Sequence, residues 1–334
     1  MDYNRNLIAN IYYKASNSLT IIAFTYFIKN SDSFLNNYFL SLAISAYAST
    51  LILINFFEDK DIGSKEHENL LTNFSLLTLT LVTLSIFLNE DLLTYGSITF
   101  LIILKSLSDS FVAKKNQIVW RSFKLFFFDF LKISLLIFHE SFNGNQLLML
   151  LLFLSACPDI KIGKPTTIKL KNKGVFLKNI LSLSKNLEAV TIFLFVDNGI
   201  LRASSMIYIQ QAVSAINVFL MTKWQKNIHQ QSDYIKQYIS DTSKYIIILS
   251  VSLGIFGIII NINELLMLAT LIILRTIIID PNLFMTNKFI RETISFSYVG
   301  IFLAGLLTVY FKEISIYYFL TLFLIIHSVR KISK

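Results

Sequence analysis

The sequence predicts an all-α polytopic membrane protein of about twelve transmembrane helices, range ten to twelve, in two six-helix bundles with both termini cytoplasmic. Three observations predict it. Of 334 residues, 54% are hydrophobic and only 15% charged, with a mean hydropathy of +0.61, whereas an ordinary soluble domain is about one quarter charged. Windows of about 19 residues show twelve apolar segments. The lysines and arginines are divided very unevenly among the segments that connect them. Twelve helices of roughly 20 residues would leave about seven residues for each connection. No room remains for a soluble nucleotide-binding, glycosyltransferase or receptor domain.

In chain order the expected spans are 7–28, 38–57, 70–88, 92–113, 118–138 and 143–157, then 179–197, 203–222, 244–261, 263–280, 293–311 and 314–329. The sixth is short, and the first, fifth and seventh carry internal lysines, which sets the lower bound of ten. Pro158 and Pro281 fall at span ends, and only 3 Pro and 10 Gly occur in the chain, so broken transporter helices are not indicated. With the amino terminus inside, 21 of the 30 basic residues fall in cytoplasmic connections, while only Lys29, Arg202 and Lys312 fall outside. One missed span would invert every later loop, so this asymmetry favours an even number of crossings.

The longest polar stretch, residues 158–178, is lysine-rich and separates an N-terminal lobe, 1–157, from a C-terminal lobe, 179–334. It reads as a cytoplasmic linker between two repeats, an arrangement common in transporters. A faint internal echo agrees. Lys14 with Thr20-Ile21 in the first span has the spacing of Lys185 with Thr191-Ile192 in the seventh. The single Cys157 excludes an internal disulfide, and four scattered histidines offer no metal-ligand spacing, so no cofactor and no metal are expected. Residues 1–10 lack the pattern of a cleaved signal peptide. The net charge of +9 is better explained by lysines facing anionic lipid than by nucleic acid, which has no basic domain to bind.

Charges within the spans carry the functional expectation, because a charge at the bilayer centre costs about 2.5–3.5 kcal/mol and normally faces a cavity or the bundle interior. Six basic side chains, Lys14, Lys105, Lys124, Lys132, Lys185 and Arg275, stand against three acidic ones, Asp109, Asp129 and Glu188. Lys105 and Asp109 are four apart, and Asp129–Lys132 and Lys185–Glu188 are three apart, spacings at which opposite charges neutralise each other on one helix face. Lys14 and Arg275 have no local partner. The surplus is positive and suits an anionic group such as a phosphate, with Lys14, Lys105, Lys132, Lys185 and Arg275 as the cationic cavity. Asp109, Asp129 and Glu188 would serve charge pairing or ion coupling. Tyr12, Tyr13, Tyr208 and Tyr310 fit interfacial belts better than sugar stacking.

The stretch 177–250 contains Lys178-Asn179-Ile180-Leu181, then Val196-Asp197-Asn198-Gly199-Ile200-Leu201, then Met206-Ile207-Tyr208-Ile209-Gln210-Gln211-Ala212 and a lysine-rich connection. It resembles the start of the second half of polysaccharide flippases of the multidrug/oligosaccharidyl-lipid/polysaccharide exporter superfamily. Residues 10–28 resemble that family's first helix. Asp197 with Leu201, and Tyr208 with Gln211-Ala212, stand at the positions of two family elements. The resemblance covers the whole chain in topology and about 75 residues in pattern. It implies a protein of the bacterial cytoplasmic (inner) membrane that is not an enzyme. The implied activity moves polyprenyl-pyrophosphate-linked oligosaccharide units for O-antigen or capsule synthesis, by alternating access between two lobes. Its partners would be that lipid-linked substrate, membrane lipids and other polysaccharide-assembly proteins. Competing readings are a cation-coupled small-molecule or multidrug antiporter of the same superfamily, and a membrane-embedded polysaccharide polymerase or acyltransferase. The antiporter would want an unpaired carboxylate, the polymerase a long arginine-bearing outer loop, and the acyltransferase a catalytic histidine, for which His139-Glu140 is the only suitable pair.

Overall fold

A computed structural model describes residues 2–28, 31–56, 65–88, 90–115, 118–165, 183–224, 232–277 and 288–332. The described residues are helical, with no strand among them, and form twelve α-helices: α1 Asp2–Phe27, α2 Ser31–Phe56, α3 Lys65–Leu88, α4 Asp91–Lys115, α5 Ile118–Ile137, α6 Gly144–Ala156, α7 Leu187–Asp197, α8 Ala203–Trp224, α9 Ser232–Ile259, α10 Asn263–Ile277, α11 Lys288–Phe311 and α12 Ile314–Ile332. Each lies where the hydropathy of the sequence places an apolar segment. Four contain a stretch long and apolar enough to cross a membrane, in α3, α4, α11 and α12. The helix α6, at 13 residues, rises only about 20 Å, less than a hydrocarbon core of roughly 30 Å.

Short connections join several helices because single residues adopt turn geometry. The helix α7 ends on Gly199 with φ +66°. There the Ile200 amide donates to the Phe195 carbonyl at 2.9 Å and the Gly199 amide to that of Val196 at 3.1 Å, the paired bonds of a Schellman cap. Asn261 (φ 54°) ends α9 in the same way, with Ile262 donating to Gly257 at 2.8 Å, and Lys312 (φ 56°) turns α11 into α12. At its start α6 is capped by Asn143, whose side chain accepts from the Gln146 amide at 2.7 Å.

The chain divides into two compact units, Met1–Ile180 and Leu181–Lys334. In the first, α3 packs on α4, α4 also packs on α2 and α6, and α5 packs on α1 and α6. In the second, α9 packs on α10, α10 also on α8 and α12, and α11 on α7 and α12. Adding six to each helix number of the first unit gives the neighbours of the second. The echo noted in the sequence has a structural counterpart: Thr20 and Thr191 each donate to the carbonyl four residues back, at 2.8 and 2.9 Å. Ile21, Phe24, Ile192 and Phe195 are all buried. Of the expected linker 158–178, residues 166–178 lie outside the described residues. Pro158 and Asp159 are a correction to it, since both are buried against the first unit in a 3₁₀ turn that closes α6.

The contact of α11 with α7 depends on Gly305. A Cβ at this position would lie 2.5 Å from Thr191 Cγ2, and the Thr191 hydroxyl is held by its bond to Leu187. Gly305→Val should destabilise the second unit by about 1–3 kcal/mol through overpacking. A lower thermal-unfolding midpoint of the purified protein in detergent would register it, whereas Gly96→Ala, with open space at its Cβ inside α4, should not lower the midpoint, since alanine favours the helix.

Candidate functional site

The densest group of charges in the first unit forms where α1, α4 and α5 meet the turn after α6. Arg121, near the start of α5, has a side chain only 4% exposed. Its Nη1 pairs with Asp109 of α4, and its Nη2 donates to Asp159 Oδ2 at 2.5 Å. The Arg121 Nε lies against Asp159 Oδ1 without hydrogen-bond geometry. The guanidinium carbon stands 4.1 Å from the centre of the buried Tyr13 ring of α1, so a cation–π contact closes its apolar face. Asp159 also accepts from Ser108 at 3.0 Å and from the Tyr13 hydroxyl at 3.4 Å. A buried carboxylate is tolerated only when its lone pairs are filled in this way.

Two lysines border this core. Lys14 of α1 lies 3.7 Å from Asp109, with side chains 43% and 38% exposed, which makes it the open edge of the cluster. Lys105 of α4 lies over the Tyr13 ring, 5.5 Å from its centre. Among the described residues no carboxylate stands within ion-pair distance of it. Asp109 is thus met by Arg121 and Lys14 from other helices, not by Lys105 one turn away as the i,i+4 spacing suggested. Three cations and two carboxylates make up the group.

Two turns further along α5 is a second group. Asp129 accepts from the Tyr12 hydroxyl, from Ser16 at 2.7 Å and from Lys132 at 2.9 Å, and Lys132 reaches Ser16 at 3.4 Å. The expected i,i+3 pair is therefore present. It differs from the cavity reading in one respect: Lys132 is buried, its side chain 4% exposed, so it ties α5 to α1 instead of lining an open space. Tyr12 and Tyr13 likewise belong to these clusters. Ser122 donates to the Ala9 carbonyl at 2.7 Å and completes the α1–α5 contact. All these groups lie on one side of α5, while Trp120, Phe123, Phe126, Phe127 and Phe130 are exposed on the other.

In the second unit Arg275 of α10 lies 3.6 Å from Glu188 of α7. Arg275 therefore has a partner, and Glu188 meets it instead of Lys185 three residues away. Lys185 sits half-buried in the 3₁₀ turn Ser184–Asn186. Asp197 is exposed at the end of α7, before the Schellman cap, and Tyr208 is 46% exposed on α8. The two motif positions are held apart by the turn between these helices. His139 stands in a 3₁₀ turn, donating from Nδ1 to the Leu136 carbonyl at 3.0 Å.

Sequence spacing overlooked Arg121 and Asp159. Arg121 lies at the start of the fifth apolar segment, and Asp159 falls within the polar stretch 158–178. The signal available was the isolation of Asp159 after an apolar run. Set against protein-family models, curated proteins and solved structures, the chain matches none.

Removing one member of a buried ion group leaves the others uncompensated, at a cost of about 3–5 kcal/mol. Asp159→Ala should therefore lower the unfolding midpoint far more than Asp197→Ala, whose carboxylate is exposed, with both measured by thermal unfolding in the same detergent.

Proposed function

We propose that the chain is a multi-pass transporter of the bacterial cytoplasmic membrane that carries a lipid-linked, phosphate-bearing oligosaccharide to the outer leaflet for surface polysaccharide assembly. The observation that carries this reading is the cluster around Arg121. Its three cations outnumber its two carboxylates, and its open edge is Lys14. A lysine ammonium offers a phosphate a strong point charge without a fixed geometry, so a pyrophosphate can engage Lys14 and Lys105 and leave as the surroundings change. The hydrocarbon tail needs no site in the protein, because the exposed aromatic face of α5 and the apolar faces of α3, α4, α11 and α12 border the lipid. The twelve helices act as twelve crossings with both termini cytoplasmic, and the two units as the two lobes of an alternating-access carrier. The resemblance of Asp197–Leu201 and Tyr208–Ala212 to flippase elements supports the same class.

On this reading the surplus charge lies in the first unit, where three cations share two carboxylates, while Arg275 faces Glu188 one to one. The antiporter reading is less well supported. Asp109, Asp129 and Glu188, the three carboxylates expected within the spans, each have a cation within 3.7 Å or less, which disfavours any of the three as a coupling-ion site.

Two experiments test the proposal. Lys14→Ala with Lys105→Ala should abolish surface polysaccharide while the protein remains in the membrane at its normal level, as judged by immunoblot. Unchanged polysaccharide would refute the anion site. In a chain with Cys157→Ser, single cysteines at Phe142 and Pro165 should react with a membrane-impermeant maleimide from opposite sides of the membrane, Phe142 from outside. Labelling of both from one side would refute the topology.

A further inference from the structure

The arrangement around Arg121 poses a charge problem that the proposed function leaves open. Lys14 and Lys105 serve an anionic substrate only if the neighbouring carboxylates do not hold them, and two carboxylates lie within the same cluster. The geometry shows which cation holds which acid. Arg121 pairs with Asp109 through Nη1 and with Asp159 through Nη2. It does so from a buried position with its face on Tyr13. The contact of Lys14 with Asp109, at 3.7 Å, is longer than a charge-assisted hydrogen bond and lies at the exposed edge. Lys105 has an aromatic ring in place of an acid.

We propose that Arg121 is a positioning residue that engages both carboxylates with one guanidinium, so that Lys14 and Lys105 stay available to an anionic ligand. The planar fork of arginine makes this possible, because its separate N–H groups can bond two carboxylates in different directions at once. An ammonium has no such fixed fork. Lysine at this position would conserve the charge and lose the division of partners. Asp109 would then turn to Lys14. The inference rests on the anion-binding reading for its purpose, while the division of partners is measurable without any ligand.

The test reads the reactivity of Lys14 toward reductive methylation, followed by mass spectrometry, in the full chain in nanodiscs of zwitterionic lipid. Inorganic pyrophosphate binding is measured by calorimetry on the same samples. Lys14 should be methylated readily in the wild type. In Arg121→Lys its reactivity should fall about threefold or more, as one ion pair of roughly surface strength forms. In Arg121→Lys with Asp109→Asn it should return to within about twofold of the wild type, because a single ammonium then faces a single carboxylate. Asp109→Asn alone provides a second measure should Arg121→Lys fail to fold. If Arg121 already holds Asp109, Lys14 reactivity should rise by no more than about twofold. A rise above about fivefold would show that Lys14 held the acid and would overturn the proposal. So would an inert Lys14 in the wild type, or unchanged reactivity in a folded Arg121→Lys. Pyrophosphate affinity should follow the same order across the variants. A wild type that binds no pyrophosphate would overturn the anion reading itself, with Lys14 reactivity still deciding how Arg121 divides the acids.

Discussion

The first unit is organised by the need to neutralise a buried guanidinium. Burying Arg121 without partners would cost many kcal/mol, and the structure offsets it with two carboxylates, a tyrosine ring and the hydroxyls that fill the remaining lone pairs. Those groups come from α1, α4 and the turn after α6 and meet on α5. Helices whose other contacts are nondirectional packing of leucine, isoleucine and phenylalanine thereby gain a fixed register. Apolar surfaces alone allow small rotations and slides at little cost, whereas a charge network with directional bonds does not. The Asp129–Lys132 group repeats the device further along the α1–α5 contact.

The second unit repeats the neighbour relations of the first with different ion pairs between its helices. Its first and fourth helices are joined by Glu188 and Arg275, while in the first unit the same pair of helices is joined by Lys14 and Asp109. The polarity is reversed. Two units with one architecture therefore differ in what they present to an ion, and the difference comes from a few side chains on a shared scaffold, as expected where function is grafted onto a fold.

Much of this was legible in the chain. Helix positions followed from apolar windows, because a twenty-residue apolar run with few Gly and Pro has little alternative to a helix. The Lys14/Lys185 echo foretold the paired buried threonines and isoleucines of α1 and α7. Local spacing also found the Asp129–Lys132 pair. It failed where partners are distant in sequence: Lys14 with Asp109, Arg275 with Glu188, and above all Arg121 with Asp159. Spacing along one helix reports only what that helix can do for itself. Choice among competing cations is settled by tertiary geometry, and Asp109 has Lys105 one turn away on its own helix but pairs with two cations from others.

The one-sided character of α5 has a consequence for how the protein is made. With Arg121, Asp129 and Lys132 on one side and a row of aromatics on the other, α5 is a poor guest in lipid when alone, since each central charge carries an insertion cost of about 2.5–3.5 kcal/mol. Its polar side is met by Asp109 of α4 and Asp159 after α6, and by Tyr12, Tyr13 and Ser16 of α1, more than a hundred positions earlier in the chain. At about 5–20 residues per second, α1 is synthesised roughly 5–20 s before α5 emerges. The charges of α5 therefore find their full set of partners only once α1, α4 and the turn after α6 are all in place.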